Sequence, residues 1–253
     1  MGEKGTVMVD RLSRRAALGL LVTGAAVAAG CGAQRSTTST TTVTEPATVA
    51  MPTQSARPQI ADAAGALAEL KAGNARFVDA RMEHPAQDPQ HRLALSKGQD
   101  PFAVVLSCSD SRLPPEVIFD QGLGDVFVVR VAGNIVDPAL LGSIEYAVGH
   151  LHTPLVVVLG HQNCGAVAAT LEALQTHDEP HGDIAALVSA IKPAVGVAGS
   201  RPGDLLDNTI RANVEQSRDQ IVASPELKQP LDAGDLDVVT AYYSLDSGEV
   251  EFT

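Results

Sequence analysis

Two short segments of the sequence carry side chains that bind metal ions. Cys108 begins a Cys-Ser-Asp-Ser-Arg segment shortly after the apolar run 102–106, and His161 begins a His-Gln-Asn-Cys segment shortly after the apolar run 155–159. Zinc prefers sulfur and nitrogen donors in a tetrahedron, and a catalytic site keeps its fourth position for water or substrate. The two segments therefore predict a catalytic zinc site with Cys108, His161 and Cys164 as its ligands.

A disulfide between Cys108 and Cys164 is the alternative, because disulfides form in exported proteins. That alternative leaves the spacing of His161 and Asp110 from the two cysteines unexplained. The remaining cysteine, Cys31, lies at the end of an N-terminal apolar segment, so the cysteines do not have the pattern of a disulfide framework. We therefore favour the metal site.

The segments before the two motifs have the composition of buried strands. Residues 102–106, 126–131 and 155–159 are short, contain β-branched residues and lack polar alternation, which is typical of parallel strands covered on both faces. A terminal strand pair is predicted at residues 236–243 and 249–252, which an Asp-Ser-Gly segment separates.

Apolar residues at helical spacing predict helices around these strands. The predicted helices comprise residues 67–80, 138–151, 165–174 and 204–223, with Asp204 as the candidate N-cap of the last. Strands that alternate with helices indicate an α/β domain with a mostly parallel central sheet flanked by helices. Because ligands bind beyond the carboxyl ends of parallel strands, we expect the Cys108 and His161 segments to converge there.

The composition restricts the partners of the protein. The formal net charge is −12, so the phosphates of nucleic acid or of an acidic lipid surface would be repelled. We therefore expect no nucleic-acid partner. Apolar residues make up 45% of the chain, which is enough for a sizeable core.

Residues 1–31 have the pattern of an export signal, with the basic segment Ser13-Arg14-Arg15, an apolar run over residues 16–29 and small residues before Cys31. The arginine pair resembles a twin-arginine signal, and the residues before Cys31 resemble a lipobox, in which the cysteine is lipidated. An ordinary cleaved signal is the alternative. Residues 32–58 are dominated by Thr, Ser and Pro and are predicted to form a flexible tether.

This N-terminal pattern predicts an exported, extracytoplasmic protein that is anchored to the outer face of the cytoplasmic membrane through a lipid on Cys31. The folded domain is then expected to comprise residues 59–253. Free thiols oxidise outside the cytosol. A twin-arginine route, which carries a folded domain, would let zinc protect both thiolates during export.

The motifs resemble those of the β-class carbonic anhydrases. Cys-x-Asp-x-Arg at 108–112, Phe-Val-Val-Arg-x-Ala-Gly-Asn at 127–134, Gly-Ser-Ile-Glu-Tyr-Ala at 142–147 and His-x-x-Cys at 161–164 follow one another in the order of that family. The resemblance extends from about Leu67 to Phe252. It implies a β-carbonic anhydrase fold, a Zn²⁺ cofactor and the reversible hydration of carbon dioxide to bicarbonate and a proton.

The resemblance also implies roles for single residues. Asp110 would orient a zinc-bound hydroxide, and Arg112 would hold Asp110 ionised and in place. Other residues fall where the substrate pocket of the family is lined, and these are Gln121, Phe127, Tyr146 and Gly165. Members of the family assemble in even numbers, so a homodimer or homotetramer is expected.

Two other functions fit the same residues. Related enzymes hydrolyse carbon disulfide or carbonyl sulfide, and access to the pocket rather than the motif decides between these substrates and carbon dioxide. A non-catalytic zinc-binding lipoprotein is a second alternative, although the pair of Asp110 and Arg112 has no use in a purely structural site. The roles of Arg130 and Asn134 stay open between support of the second strand's turn and a subunit interface.

Overall fold

A computed structural model describes residues 60–177 and 180–253 of the chain. The predicted export signal at 1–31 and the tether at 32–58, with Cys31, lie outside the described residues. The described residues form an α/β fold around a five-stranded sheet of order β2-β1-β3-β4-β5. Its strands are β1 (Ala103–Ser107), β2 (Val126–Arg130), β3 (Leu155–His161), β4 (Asp237–Tyr243) and β5 (Val250–Phe252).

The sheet is mostly parallel, as the sequence predicts. β1 pairs in parallel with β2 and with β3, and β3 pairs in parallel with β4. β5 pairs antiparallel with β4, which confirms the predicted terminal strand pair. Every residue of β1 and β3 is buried, and this burial on both faces explains why both strands lack polar alternation.

Helices cover both faces of the sheet. They are α1 (Ala63–Val78), α2 (Pro89–Leu95), α3 (Pro115–Ile118), α4 (Pro138–Leu151), α5 (Gly165–Thr176), α6 (Ile184–Ala198), α7 (Leu205–Val222) and α8 (Lys228–Ala233). The four helices predicted from the sequence correspond to α1, α4, α5 and α7, whereas α2, α3, α6 and α8 are additional.

Aspartates begin several of these helices. The carboxylates of Asp62, Asp88, Asp137 and Asp204 accept hydrogen bonds from backbone N–H groups of the first turns of α1, α2, α4 and α7. Such caps satisfy amides that have no partner inside the helix. The cap at Asp204 confirms the N-cap that the sequence predicts for α7.

The two faces of the sheet pack into two separate cores. Val105 and Val157 join a core that includes residues of α1 and α6. Val104 and Val156, which point to the opposite face, join a core that includes residues of α4. α7 contributes Ile210 to the first core and Val214 and Ile221 to the second, so this helix connects the two cores.

No helix within residues 60–177 and 180–253 combines the length and apolarity that are needed to cross a membrane.

A buried carboxylate, Asp120, ties α1 to the connection between α3 and β2. Its side chain is 1% exposed. It accepts hydrogen bonds from Arg76 Nε at 2.6 Å, from the Glu83 amide at 2.9 Å and from the His84 amide at 3.0 Å. Burial opposes ionisation of Asp120, but the three donors outweigh burial and hold the pKa of its carboxyl below the usual value.

We predict that Asp120→Asn lowers the free energy of unfolding by about 1–3 kcal/mol at pH 7, because the buried donors lose a charged acceptor. The depressed folded-state pKa means that the carboxylate stabilises the fold fully above the unfolded pKa of about 3.9. That stabilisation is lost as the pH falls through the folded pKa, so parent and variant should converge in acid. Urea denaturation at neutral and acidic pH measures the difference.

The matched control is Asp232→Asn on α8, where Asp232 pairs with Lys228 and its side chain is 65% exposed. Exposed pairs of this kind stabilise proteins little, so we expect a change of less than about 0.5 kcal/mol. Equal losses in Asp120→Asn and Asp232→Asn would contradict the assigned role of Asp120.

Candidate metal centre

The parallel pairing of β1 and β3 brings the two predicted motifs together. Ser107, the last residue of β1, lies opposite Leu159 of β3. Cys108 follows Ser107 directly, and His161 ends β3 two residues beyond Leu159. Adjacent strands lie about 4.8 Å apart, so both side chains leave the same edge of the sheet as neighbours. Cys164 is the N-cap residue of α5, which begins after the turn that follows β3.

These three residues form a group that can hold a metal ion. The Sγ atoms of Cys108 and Cys164 and a ring nitrogen of His161 all lie within 4.8 Å of one another. Two sulfurs bound tetrahedrally to one zinc ion at about 2.3 Å lie about 3.8 Å apart, so the observed spacing fits. All three side chains are buried, and both cysteines are free thiols, so the disulfide alternative is not what the structure has.

The histidine ring is oriented for ligation. Its Nδ1 lies 2.9 Å from the carbonyl oxygen of Gln162, and since a carbonyl can only accept, Nδ1 carries the proton. Nε2 is buried and has no hydrogen-bond partner among the described residues. A buried nitrogen lone pair without a donor is unfavourable unless something binds it. The orphaned Nε2, together with two nearby sulfurs, therefore matches the donor set of a zinc ion.

The turn that carries His161 is held by the terminal strand pair. The Gln162 amide N–H donates to Tyr243 O at 2.9 Å. Its side-chain Nε2 donates to Asp246 Oδ2 at 2.6 Å, and the Asp246 amide donates back to Gln162 Oε1 at 3.2 Å. These bonds fix the Gln162 carbonyl, and that carbonyl in turn sets the tautomer and the plane of the His161 ring.

The two thiols influence each other's pKa in opposite directions. The pKa of the Cys108 thiol is lowered, chiefly because the Cys164 thiol donates a hydrogen bond to its sulfur and further because His161 and the Gly133 amide lie against it. The pKa of Cys164 is raised, since its proton is held by Cys108 and since the side chain is buried. A lowered pKa favours the thiolate form of Cys108, and a thiolate in a buried site attracts a cation.

Asp110 and Arg112 form the ion pair that the sequence predicts. Arg112 donates from Nε to Asp110 Oδ1 at 2.9 Å and from Nη2 to Oδ2 at 2.7 Å, and its backbone N–H also donates to Oδ1 at 2.9 Å. These bonds hold the pKa of the Asp110 carboxyl well below its usual range. Asp110 Oδ2 also lies 4.0 Å from His161 Nε2, so an ionised carboxylate borders the metal group.

Arg130 supports the turn that contains Cys108. Arg130 is the last residue of β2 and lies opposite Ser107 of β1. It donates from Nε to Cys108 O at 3.0 Å and from Nη2 to Asp110 O at 2.6 Å. The sequence left Arg130 open between support of the turn after the second strand and a subunit interface. In the structure Arg130 supports a turn, but it is the turn that follows β1. Arg130 fixes the backbone of a metal ligand and of the neighbouring carboxylate together.

Sequence reasoning missed two further residues at this centre. The Gly133 N–H donates to Cys108 Sγ at 3.3 Å, and Asn213 Nδ2 on α7 donates to Gly133 O at 2.7 Å. The Arg-x-Ala-Gly-Asn segment at 130–134 was a signal for Gly133. Asn213 has no local signal, because it lies in an ordinary amphipathic helix and its partner is 80 residues away in the sequence.

The predicted pocket residues do not form one group within the described chain. Gly165 adjoins Cys164 as the first residue of α5. Phe127 pairs with Val104, four residues before Cys108, which places it about 13 Å from Cys108 along the strand. Within one chain, Gly165 therefore lies next to the candidate ligands and Phe127 does not.

The remaining two pocket residues have contacts within the chain. The Tyr146 ring lies 6.4 Å from the Phe127 ring, and Tyr146 is 47% exposed. Gln121 is buried and donates from Nε2 to Phe119 O at 2.6 Å. The role of these residues in lining a substrate pocket stays a prediction.

The structure is an α/β fold with a buried group that can hold a metal ion at the carboxyl edge of its mostly parallel sheet, and the comparisons with known proteins specify the family. The sequence model of the carbonic anhydrase family matches residues 103–250. Carbonic anhydrase 2 of Mycobacterium tuberculosis is 45% identical over 181 residues, which cover 71% of this chain and 87% of that protein. A carbonic anhydrase of Mycolicibacterium smegmatis is 45% identical over 184 residues, which cover 72% of this chain and 89% of that protein.

Solved structures agree with the sequence comparisons. A β-carbonic anhydrase from Coccomyxa in complex with acetazolamide matches with a TM-score of 0.59 and 27% identity, over 73% of this chain and 85% of that chain. Tetrameric β-carbonic anhydrases from Sordaria macrospora match with a TM-score of 0.58 and 25% identity, over 72% of this chain and 93% of that chain. The chain belongs to the carbonic anhydrase family, and within it to the β class.

We predict that the purified protein contains one zinc ion per chain and that Cys108→Ser or His161→Ala abolishes zinc binding, because either change removes one of three protein donors. Mass spectrometry of metals in the purified variants measures the zinc content. His150→Ala is the matched control, since the His150 ring lies tilted against Tyr146, with ring centroids 5.1 Å apart, and its loss should leave the zinc content unchanged. Zinc retained by both ligand variants would show that the metal binds elsewhere.

Proposed function

We propose that this protein catalyses the reversible hydration of carbon dioxide to bicarbonate and a proton, with Zn²⁺ held by Cys108, His161 and Cys164. Membership of the carbonic anhydrase family supports the reaction. The observation that carries the proposal is the buried group of two sulfurs and one orphaned imidazole nitrogen with an ionised carboxylate beside it. A structural zinc site has no need of that carboxylate.

A bound zinc ion lowers the pKa of a coordinated water, so that hydroxide becomes available near neutral pH. Cys108 and Cys164 bring two negative charges as thiolates, and these cancel the formal charge of a divalent ion. Three neutral imidazoles would leave that charge intact. We therefore expect activity that favours alkaline pH.

Asp110 orients the oxygen that attacks carbon dioxide. The carboxylate stays ionised because Arg112 donates to both of its oxygens, so Asp110 can accept a hydrogen bond from the attacking oxygen but cannot donate one. An acceptor at this position turns the lone pair of the nucleophile toward the carbon of carbon dioxide. Arg130, which donates to the Asp110 carbonyl, keeps the carboxylate at its distance from His161.

We predict that Asp110→Asn retains zinc and lowers the turnover number by about 100-fold or more, because the amide no longer offers an ionised acceptor. Stopped-flow hydration of carbon dioxide by the full chain, loaded with zinc and stripped by a chelator, measures the effect. Asp137→Asn is the matched control, since Asp137 caps α4 and Asn caps a helix equally well.

The outcomes separate the parts of this proposal. A zinc-loaded parent protein without hydration activity would overturn the proposed function. An Asp110→Asn variant with full turnover would remove only the orienting role of Asp110. Activity that survives the loss of zinc would remove the metal from the reaction.

We further propose that the protein assembles as a homodimer or homotetramer. β2 is an edge strand of the sheet, and exposed apolar side chains lie on the elements around it, namely Val117, Leu123 and Tyr146. Exposed apolar surface at a sheet edge favours association with another protein surface. The tetrameric relatives from Sordaria macrospora support an even-numbered assembly.

The proposed location is the outer face of the cytoplasmic membrane, reached through a twin-arginine signal and held by a lipid on Cys31. The sequence pattern at 1–31 and the tether composition at 32–58 support it. Two buried thiols that must stay reduced support export after folding, because a metal-loaded centre protects them from oxidation.

We predict that replacing Arg14 and Arg15 together by Lys keeps the protein inside the cell, whereas Arg11→Lys, outside the pair, leaves export unchanged. Cell fractionation and immunoblotting measure the distribution. Cys31→Ala should release exported protein from the membrane fraction, because a single thiol carries the lipid. Normal export of the double Lys variant would argue for an ordinary signal.

A further inference from the structure

The backbone at Gly133 donates a hydrogen bond to one of the metal ligands. Its N–H lies 3.3 Å from Cys108 Sγ, in a short 3₁₀ turn (Ala132–Asn134) that follows β2. Gly133 has a φ of +75°, which disfavours other residues. A Cβ at this position would lie 2.7 Å from the Ile191 side chain and 3.1 Å from that of Ala166. Glycine is therefore required at 133 by conformation and by space.

A required glycine leaves the turn without side-chain restraint, because glycine has the softest φ and ψ of any residue. The restraint comes from α7. Asn213 Nδ2 donates to Gly133 O at 2.7 Å, and Ser217 Oγ donates to Asn134 O at 2.9 Å. Both donors are 0% exposed, so no water competes for these bonds. Two consecutive carbonyls of the turn are thus fixed by one helix.

We propose that Asn213 is a positioning residue of the metal centre, which holds the Gly133 backbone so that its N–H donates to the Cys108 sulfur. The inference rests on the proposed zinc site. An N–H that donates to a ligating thiolate withdraws electron density from the sulfur, and partners of this kind orient and tune metal ligands. Loss of the Asn213 bond frees the carbonyl of Gly133, and the adjacent N–H then turns away from the sulfur.

A merely structural role for Asn213 leads to different expectations. Removal of any buried hydrogen bond lowers the stability of the fold, but it leaves the electronic character of the Cys108 sulfur unchanged. The positioning role requires a change at the sulfur itself. A spectroscopic signature of the bond between sulfur and metal therefore separates the two roles.

The experiment compares Asn213→Ala with Asn208→Ala in the full chain. Asn208 lies on the same helix, and its Nδ2 donates to the backbone carbonyls of Arg201 and Pro202, which are not part of the metal centre. We expect Asn213→Ala to lose zinc to a chelator about tenfold faster than the parent, in line with the 10–100-fold effects of such partners. With Co²⁺ in place of zinc, the thiolate-to-metal charge-transfer band should shift to lower energy. Asn208→Ala should match the parent in both.

Asn213→Ser provides a second test. The serine side chain is too short to make the same hydrogen bond to Gly133 O, but its hydroxyl keeps the site polar. It should shift the band in the same direction as Asn213→Ala. Release rates and band energies equal to those of the parent in both variants would overturn the proposal. Failure of both variants to fold, with Asn208→Ala folded, would also overturn it, because Asn213 would then serve the fold as a whole. A parent that binds neither zinc nor cobalt would instead refute the proposed zinc site.

Discussion

The candidate metal centre depends on the parallel register between β1 and β3. Ser107 opposite Leu159 places the first thiol and the imidazole at one edge of the sheet, and the turn after His161 returns Cys164 to the same point. A shift of one residue in this register would reverse the direction of every side chain on one strand. The residues that pack both faces of β1 and β3 into two cores therefore also determine whether the three donors meet.

Once the donors meet, the surroundings must satisfy a cluster of buried polar groups. Hydrogen bonds from other elements restrain the two turns, with Arg130 and Gly133 acting on Cys108, and Gln162 acting on His161. Several buried polar side-chain atoms of the described residues have no hydrogen-bond partner, and His161 Nε2 is the one whose residue groups with Cys108 and Cys164. Its free lone pair is therefore available to a metal ion.

Ionisable side chains of both signs surround the candidate metal centre. As thiolates, the two sulfurs would neutralise a divalent ion, and the Asp110 carboxylate lies beside them, paired with Arg112. Arg130 donates to the backbone carbonyls of Cys108 and Asp110, so it adds positive charge near the two sulfurs while the Asp110 carboxylate stays paired with Arg112. An ionised acceptor therefore persists next to a site that would otherwise favour its protonation.

The elements that the sequence predicted well are those with strong local patterns. The uniformly apolar β1 and β3, the capped α7 and the amphipathic α1 follow from composition and periodicity. α6 did not, because it is apolar on most sides, contains Pro193 and begins without a side-chain cap. Its helical state is decided by packing against α5 and α7, which a local pattern does not display.

The sequence by itself identified the residues that could carry the chemistry of the site, since Cys108, His161, Cys164, Asp110 and Arg112 are recognisable from residue type and spacing within two short segments. Tertiary structure alone decided which residues support that chemistry. Arg130 reaches Cys108 because of strand register, and Asn213 reaches Gly133 because α7 packs against the 3₁₀ turn that follows β2. The physical reason is that a hydrogen bond between distant segments depends on how strands pair and helices pack, and neither is encoded in the neighbourhood of a single residue.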